Sequence, residues 1–255
     1  MTLLLPSFLI SVIFVSLFLV DFVESKCENV RATVTQRLIN EGFHRNIQYV
    51  INFNEYSGVD LWTHGACSLS VEQVLPSGAY VNADELHDMR RLNQVNACPV
   101  GEVDIEKPAH LSRPITVHMY SRVNSSRIKI TLPIHLRYHS AKVDGGFETF
   151  NIGYPWIYLR CPNNVFKMCK PADTVLAPCG ACSPHRCSWH NITVTPLTSI
   201  LELAVPVGDL NDLTLVSISS LFISFGGCFY IMFNLFATIT VVPNPNNPMM
   251  YKKYK

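Results

Sequence analysis

The sequence predicts a mostly β fold, in which a disulfide-stapled, β-sandwich-like luminal domain precedes one C-terminal transmembrane helix. Charged side chains make up only 15% of the 255 residues, against about 25% in an ordinary soluble domain. Two long blocks, 3–20 and 213–242, contain no charged residue. Between them lie stretches in which apolar and polar residues alternate, together with eight of the nine cysteines. These observations argue against a wholly soluble cytosolic enzyme.

The first apolar block indicates a signal peptide over residues 1–25. It ends in the polar stretch DFVESKC, where Val23 and Ser25 suit the −3 and −1 positions of a signal-peptidase site. No Lys or Arg precedes the block, and its 18 residues are long for a signal sequence, so an uncleaved anchor is the alternative. Pro6 interrupts the block and a cysteine-rich region follows it, which favours cleavage before Lys26.

The second apolar block predicts a transmembrane helix over residues 213–242. Its 30 residues extend about 45 Å at about 1.5 Å per residue, more than a hydrocarbon core of about 30 Å requires. Acidic residues precede the block and lysines follow it, so the positive-inside rule places residues 26–212 in the lumen and residues 243–255 in the cytosol. The predicted topology is single-pass type I.

The predicted cytosolic tail ends in Lys252-Lys253-Tyr254-Lys255. Lysines at the −4 and −3 positions match the dilysine signal for retrieval to the endoplasmic reticulum (ER). We therefore expect Lys252 and Lys253 to keep the protein in the ER membrane, where its span contacts ER membrane lipid. A basic flank that only stops transfer is the alternative. The polar tail that follows the apolar block argues against a GPI-attachment signal.

The charge of the predicted domain, 26–212, is formally balanced. Setting aside two acids of the leader and three lysines of the tail leaves 17 of the 19 acids and 17 of the 20 bases. This balance indicates neither a nucleic-acid partner nor a surface for acidic substrates.

An even number of cysteines in the predicted luminal domain suggests disulfides formed in an oxidising compartment. Eight cysteines allow too many pairings for the sequence to assign one. Five lie within 161–187 and are expected to staple one corner, with a long-range bond to one of the other three. The candidates are Cys27, Cys67, Cys98, Cys161, Cys169, Cys179, Cys182 and Cys187.

The CGAC stretch, with Cys179 and Cys182, has three interpretations. The C-x-x-C spacing occurs in redox-active dithiols, in zinc sites and among structural disulfides. A redox motif needs its first cysteine at the start of a helix, whereas Pro178, Gly180 and Pro184 surround this stretch. Structural disulfides are favoured, and a luminal thiol oxidoreductase is an alternative function.

Two N-x-[ST] sequons predict N-glycosylation at Asn124 and Asn191. Both lie between strand-like stretches, where a glycan remains exposed.

Residues 128–138 alternate without interruption, as in a strand with one buried face. Every second residue from Ile128 to Tyr138 is apolar, and those between them are polar or Pro133. Pro133 cannot donate to a ladder, which predicts an edge strand or a bulge. Residues 115–121 alternate similarly, so the intervening VNSSR, 123–127, is expected to be a hairpin loop.

Further strands are expected at 47–53, 67–75, 154–160 and 201–207. One helix is predicted over 83–93, with Asn82 as its N-cap, acidic residues in its first turn and arginines toward its end.

The sequence offers no catalytic or cofactor motif: G-x-S-x-G, H-E-x-x-H, the P-loop and G-x-G-x-x-G are all absent.

His135, Arg137 and His139 share one strand face, where a metal site would need a Cys or a carboxylate from elsewhere. A surface or partner contact is therefore favoured for them. The acidic residues of the predicted helix, Glu85 among them, are interpreted as a solvated face. We expect no catalytic residue, no metal and no cofactor.

One face of the predicted span carries small and polar residues, which predicts a contact with a partner helix. Such contacts depend on close packing and hydrogen bonds, and Asn234 facing lipid would leave its amide unpaired. The alternative is a Ser-rich span that tolerates these residues. This span stripe consists of Ser217, Ser220, Ser224, Gly227, Asn234 and Thr238.

Several stretches occur in an order that resembles a known family. They are EGFHRNI (41–47), LPSGAYVNADEL (75–86), DIEKPAHLS (104–112), LPIHLRYH (132–139), APC (177–179), CSW (187–189) and LELAVPVG (201–208), before one C-terminal span. Together they resemble the phosphatidylinositol-glycan biosynthesis class X (PIG-X) family over most of residues 41–242. The specificity lies in their order and spacing, because no single stretch is diagnostic.

The resemblance implies a non-catalytic ER subunit that stabilises the multispanning class M mannosyltransferase of GPI mannosyltransferase I. That complex adds the first mannose of the GPI-anchor glycan from dolichol-phosphate mannose, and its catalytic residues lie in the partner. Composition alone leaves a second rival, a cell-surface receptor or adhesion ectodomain. The dilysine-like end argues against that rival.

Overall fold

The computed structural model describes residues 31–53, 67–162 and 174–239. Contacts divide the chain into two compact units. The first, here called the β unit, holds the described residues up to 138 and those from 149 to 205. The second, the helix unit, holds residues 139–148 and those from 206 onward.

Thirteen strands form in the described part of the chain, and they include every strand predicted above. They are β1 Arg31–Ile39, β2 His44–Phe53, β3 Ser68–Leu75, β4 Ala79–Tyr80, β5 Ala97–Pro99, β6 Ile115–Arg122, β7 Arg127–Leu136, β8 Gly146–Ile152, β9 Trp156–Arg160, β10 Thr174–Pro178, β11 Arg186–Asn191, β12 Thr193–Pro196 and β13 Leu201–Val207. The two α-helices are α1 Ala83–Arg91 and α2 Leu213–Ile239.

The strands form two large sheets and one small one. The first sheet has the order β12-β1-β2-β7-β4, and the second has the order β10-β11-β9-β3-β6-β5. Within the first sheet β1 and β12 run parallel, with Arg31 opposite Thr193, whereas β1, β2, β7 and β4 pair antiparallel. The third sheet pairs β13 with β8.

The two large sheets enclose one apolar core, which confirms the predicted β-sandwich. Alternate residues of β2 and β7 supply one side of it, and alternate residues of β3, β6 and β9 supply the other. Fully enclosed members include Ile47, Ile51, Leu69, Val71, Val117, Met119, Leu132, Ile134 and Ile157. Burial of apolar side chains contributes about 1.5–3 kcal/mol each to folding, so this interior is the main source of stability.

Helix α1 begins where the sequence predicts, because Asn82 caps it. Its side-chain oxygen accepts hydrogen bonds from the backbone N–H groups of Asp84 and Glu85, which satisfies donors that the first helical turn leaves unpaired. Leu86 is buried in the core and fixes the orientation of the helix.

The strand that contains Pro133 is not the edge strand that the sequence predicted, because the short strand β4 lies outside it. Pro133 pairs with Asn46 of β2, while β4 on the other side reaches only Leu136 and His135. The missing N–H of Pro133 is therefore tolerated next to a sheet edge.

The predicted hairpin between β6 and β7 is wrong. The two strands lie in different sheets, so residues 123–126 cross from one sheet to the other. Val123 is fully buried in this crossing, and its N–H donates to the carbonyl of Cys67. Alternation identifies the buried face of each strand but not the strand that it pairs with, and both strands face the same core.

Tyr138 does not lie on the buried face of β7, because the strand ends at Leu136. Its side chain is 72% exposed and its ring contacts that of Phe43, with a centroid distance of 4.9 Å.

The helix unit contains a loop that is hydrogen-bonded to the segment entering α2. The backbone N–H of Lys142 donates to the carbonyl of Gly208, and the carbonyl of Lys142 accepts from the backbone N–H of Leu210. The carboxylate of Asp209 accepts from the backbone N–H groups of Asp144 and Asn211, at 3.1 and 2.8 Å. These hydrogen bonds connect the loop to residues 208–211, just before α2.

Helix α2 is long and apolar enough to cross a membrane, by its length and composition. Its 27 residues extend about 40 Å. Among the described residues it is the one helix with these properties. The prediction of a single C-terminal apolar helix is confirmed.

Candidate functional site

Two histidines and one carboxylate converge at one end of the β unit. His44 of β2 and His135 of β7 are directly opposite each other in the ladder, and their rings lie 4.2 Å apart between centroids. The carboxylate of Glu85, in the first turn of α1, spans both rings. Its Oε2 lies 2.8 Å from Nε2 of His135, and its Oε1 lies 3.4 Å from Nε2 of His44.

Neighbouring side chains hold this cluster in place. The Tyr80 ring, opposite His135 in β4, stacks on the His135 ring at 5.2 Å. The Arg137 guanidinium lies 4.4 Å from the centroid of the same Tyr80 ring. Arg137 is buried and donates to the carbonyl of Lys107 at 2.6 Å. Burial lowers the pKa of Arg137, because the interior disfavours the charged guanidinium.

This arrangement corrects the interpretation of Glu85 as part of a solvated helix face. Its side chain is only 28% exposed and makes contact with both imidazoles. The carboxylate that a metal site at His135 would need from elsewhere comes from α1. One potential ligand atom from each of His44, Glu85 and His135 lies within 4.8 Å of the other two. The cluster can therefore hold charge-assisted hydrogen bonds or a metal ion.

Three disulfides form in the β unit. They join Cys67 to Cys161, Cys98 to Cys182, and Cys179 to Cys187. Cys27 and Cys169 lie outside the described residues. Two of the three bonds are long-range, spanning 94 and 84 residues, where the sequence suggested one.

The cysteines of the CGAC stretch are not bonded to each other. Cys179 pairs with Cys187 and Cys182 pairs with Cys98, so the stretch belongs to two structural bonds. A thiol oxidoreductase needs these two cysteines as a dithiol that opens and closes. The oxidoreductase alternative is therefore not supported by the structure.

The two sequons differ in their surroundings. Asn124 is exposed in the crossing between β6 and β7. Asn191 is half-buried at the last position of β11, and it lines a cavity of about 310 Å³ with Tyr154 and Trp156. A glycan therefore has more room at Asn124 than at Asn191.

The span stripe lies along one side of α2. At about 100° per residue, its members fall within one arc of the helix, and those from Ser217 to Asn234 are exposed. The amide of Asn234 donates to the carbonyl of Tyr230 at 2.8 Å. The helix itself thus supplies one hydrogen-bond partner, which reduces the predicted cost of Asn234 facing lipid.

The opposite side of α2 carries a ridge of aromatic side chains that the sequence reasoning missed. These residues recur at steps of three and four and are 61–76% exposed. Helical spacing was the signal that could have revealed them. The ridge consists of Phe222, Phe225, Phe229, Phe233 and Phe236.

The predicted retrieval lysines, Lys252 and Lys253, lie outside the described residues, as do residues 1–25. The side chain of Thr238, the last member of the span stripe, is also outside the described part.

A comparison with protein families assigns this chain. The model of the family described as PIG-X / PBN1 matches residues 40–236, which takes in most of the β unit and nearly all of α2. The chain belongs to the PIG-X / PBN1 family. The resemblance seen in the ordered sequence stretches is thereby confirmed.

Mammalian relatives of this PIG-X / PBN1 chain cover much of its length. A human protein is 32% identical over 178 residues, which is 68% of this chain and 67% of the relative. A rat protein is 30% identical over 193 residues, or 74% of each. Both carry the name "GPI alpha-1,4-mannosyltransferase I, stabilizing subunit".

Proposed function

We propose that this chain is a non-catalytic subunit that stabilises GPI mannosyltransferase I. The observation that carries the proposal is the family match over residues 40–236, with relatives named as the stabilising subunit of that enzyme. Because the match includes most of the sandwich and nearly all of the apolar helix, the proposed role belongs to both rather than to one shared module.

The proposed location is the ER membrane, with the β unit in the lumen and the tail in the cytosol. Three disulfides support an oxidising compartment for the β unit. The apolar helix that follows the sandwich in the sequence supports a membrane anchor. Lys252 and Lys253 would return the protein to the ER.

The proposed partner is the multispanning class M catalytic subunit, which transfers the first mannose from dolichol-phosphate mannose to the GPI precursor. The chemistry would reside in that partner. This chain would act by binding it, so that loss of this chain lowers the amount of enzyme rather than an intrinsic rate.

Helix α2 offers two different faces for this contact. The span stripe allows another helix to approach closely, and the aromatic ridge presents bulky apolar side chains. Lipid solvates Phe as well as a protein does, whereas close packing at small residues is a gain that lipid does not match. We therefore assign the partner contact to the stripe and the lipid contact to the ridge.

Removal of the protein from cells tests the proposal. We expect less of the catalytic subunit, measured by quantitative immunoblot, and fewer GPI-anchored proteins at the cell surface, measured by flow cytometry. Overexpression of the catalytic subunit alone should partly restore the surface signal. Normal abundance and full activity of that subunit in the deleted cells would contradict the proposal.

A localisation experiment separates this function from a cell-surface receptor. Glycans on the wild-type protein should remain sensitive to endoglycosidase H, and Lys252→Ser with Lys253→Ser should make a fraction resistant. Resistance of the wild-type protein would favour the receptor.

A further inference from the structure

We propose that His44, His135 and Glu85 form a binding site for a divalent transition metal ion of the zinc type. The site lies in the β unit, remote in sequence from α2, and does not depend on the proposed function. It would use one nitrogen from each imidazole and one or both oxygens of the carboxylate.

The distances between the potential ligand atoms suit a small metal ion. Zinc binds imidazole nitrogen at about 2.0–2.1 Å in tetrahedral sites, which places neighbouring ligands about 3.3 Å apart. The carboxylate oxygens of Glu85 lie 2.8 Å from His135 and 3.4 Å from His44. One ligand atom from each of the three residues lies within 4.8 Å of the other two, so side-chain rotations would bring the three ligands around one ion.

The backbone holds the ligands in this arrangement. His44 and His135 are a registered pair on adjacent antiparallel strands, where side chains on one face meet at close range. Glu85 is carried by the first turn of α1, which Asn82 caps. The Tyr80 ring restricts His135 by stacking on it. Ligands that folding has already positioned lose little freedom when a metal binds.

The donor set selects the class of ion. Two imidazoles with one carboxylate suit Zn²⁺ and neighbouring transition metals, whereas Ca²⁺ and Mg²⁺ prefer sites made of oxygen atoms alone. Three protein ligands leave a fourth position open. His44 is the most accessible ligand, with 56% of its side chain exposed, so the open position would face solvent or a binding partner.

A bound ion would fasten β2, β7 and α1 together at one end of the sandwich. Because an ion that binds only the folded state stabilises that state, metal binding should raise the temperature of unfolding. The same ion would shield the Glu85 carboxylate from any partner that docks at this end.

Titration of the purified protein tests the site. The full-length chain, without a histidine tag, is stripped with a chelator in detergent, its free thiols are alkylated, and ZnCl₂ is added in a calorimeter. We expect one equivalent to bind. His44→Ala and Glu85→Gln should each abolish zinc binding. His87→Ala, at an exposed position of the helix that carries Glu85, should leave zinc binding unchanged.

Spectroscopy and melting keep the test independent of folding defects. Co²⁺ in place of Zn²⁺ should give a visible absorption band that both variants lack. His44 is exposed, so His44→Ala should melt cooperatively without metal, as the wild type does, and should lose only the zinc-dependent rise in melting temperature. Failure of the wild-type protein to bind one equivalent of zinc would overturn the proposal. Zinc binding by folded His44→Ala and Glu85→Gln that equals binding by the wild type would overturn it as well.

Discussion

The hydroxyl of Tyr49 donates a hydrogen bond to Oε1 of Gln73 at 2.8 Å and so joins the two sheets through the interior of the sandwich. Tyr49 lies on β2 of the first sheet and Gln73 on β3 of the second, and both are buried. The Gln73 amide nitrogen donates in turn to the carbonyls of Val74 and Gly153. Burial raises the pKa of Tyr49 well above its ordinary value, so the hydroxyl remains a donor.

Replacement of this tyrosine should destabilise the β unit. Tyr49→Phe leaves the Gln73 oxygen buried without this donor, and an unsatisfied buried acceptor costs about 1–3 kcal/mol. Urea denaturation should show that decrease in the free energy of unfolding. Tyr138→Phe, at an exposed position, serves as the control, and equal stability of the two variants would contradict the prediction.

The two bonds at the CGAC stretch should differ in their contribution to stability. In the chain-entropy model, opening Cys98–Cys182, which spans 84 residues, costs about 2 kcal/mol more than opening Cys179–Cys187, which spans 8. Paired Cys→Ser variants compared by thermal melting measure this difference. Peptide mapping by mass spectrometry checks the pairing itself, and a Cys179–Cys182 peptide would refute it.

Glycan occupancy should be higher at Asn124 than at Asn191. The first asparagine is exposed in a crossing segment, whereas the second is half-buried at the end of a strand. Asn124→Gln should therefore cause the larger loss of glycan mass on a gel after expression in cells. Asn191→Gln is the matched control, and a greater loss from that variant would reverse the assignment.

Acid should destabilise the β unit through His118. Burial lowers the pKa of His118 from its ordinary value of 6.5, outweighing the attraction of Glu72. Because the unfolded chain then takes up a proton more readily, the free energy of unfolding falls as the pH drops below about 6.5, by at most about 1.4 kcal/mol per pH unit. The free energy of unfolding stops falling once the pH is below the pKa of His118 in the folded state.

A His118→Gln variant isolates this contribution. Its unfolding free energy should depend less on pH between 6.5 and 5 than that of the wild type. Burial also lowers the pKa of His190, so part of the dependence should persist. Identical slopes for the variant and the wild type would show that His118 does not contribute.

The span stripe should govern recovery of the partner. Gly227→Leu with Asn234→Leu replaces a close-approach position and a polar one, and each such contact contributes about 1 kcal/mol. Co-purification of the catalytic subunit should fall several-fold. Phe222→Leu with Phe229→Leu changes the aromatic ridge instead and should leave recovery unchanged. A poly-Leu span that recovers the partner normally would place the contact in the β unit.

Strand positions were predictable because one buried face leaves a period of two in the sequence. Ile128, Leu132 and Ile134 show that pattern and are buried. The first strand was harder to predict, because Gln36 occupies a core-facing position in β1 and is itself buried. Pairing was not predictable for β6 and β7, since either sheet presents the same apolar face to the interior.

The candidate site depended on contacts between residues far apart in sequence. His135 was interpreted as a surface or partner contact that lacked a carboxylate. Glu85, 50 residues earlier, supplies the carboxylate because the first turn of α1 brings its side chain to His135. The disulfides were unpredictable for the same reason. Spacing brings Cys179 near Cys182, whereas the fold brings Cys182 to Cys98.

The parallel pairing of β1 with β12 has a consequence for the order in which the chain folds during synthesis. The edge of β1 stays open until residues 193–196 have been made, and Leu203 and Val205 of the core follow later still. The last strand pairing and the last core residues of the sandwich are therefore made just before the apolar helix. Contacts this distant in sequence form slowly, and an exposed strand edge invites association in the meantime. A nascent or truncated chain that ends before β12 should accordingly be a substrate for chaperones rather than a smaller stable domain.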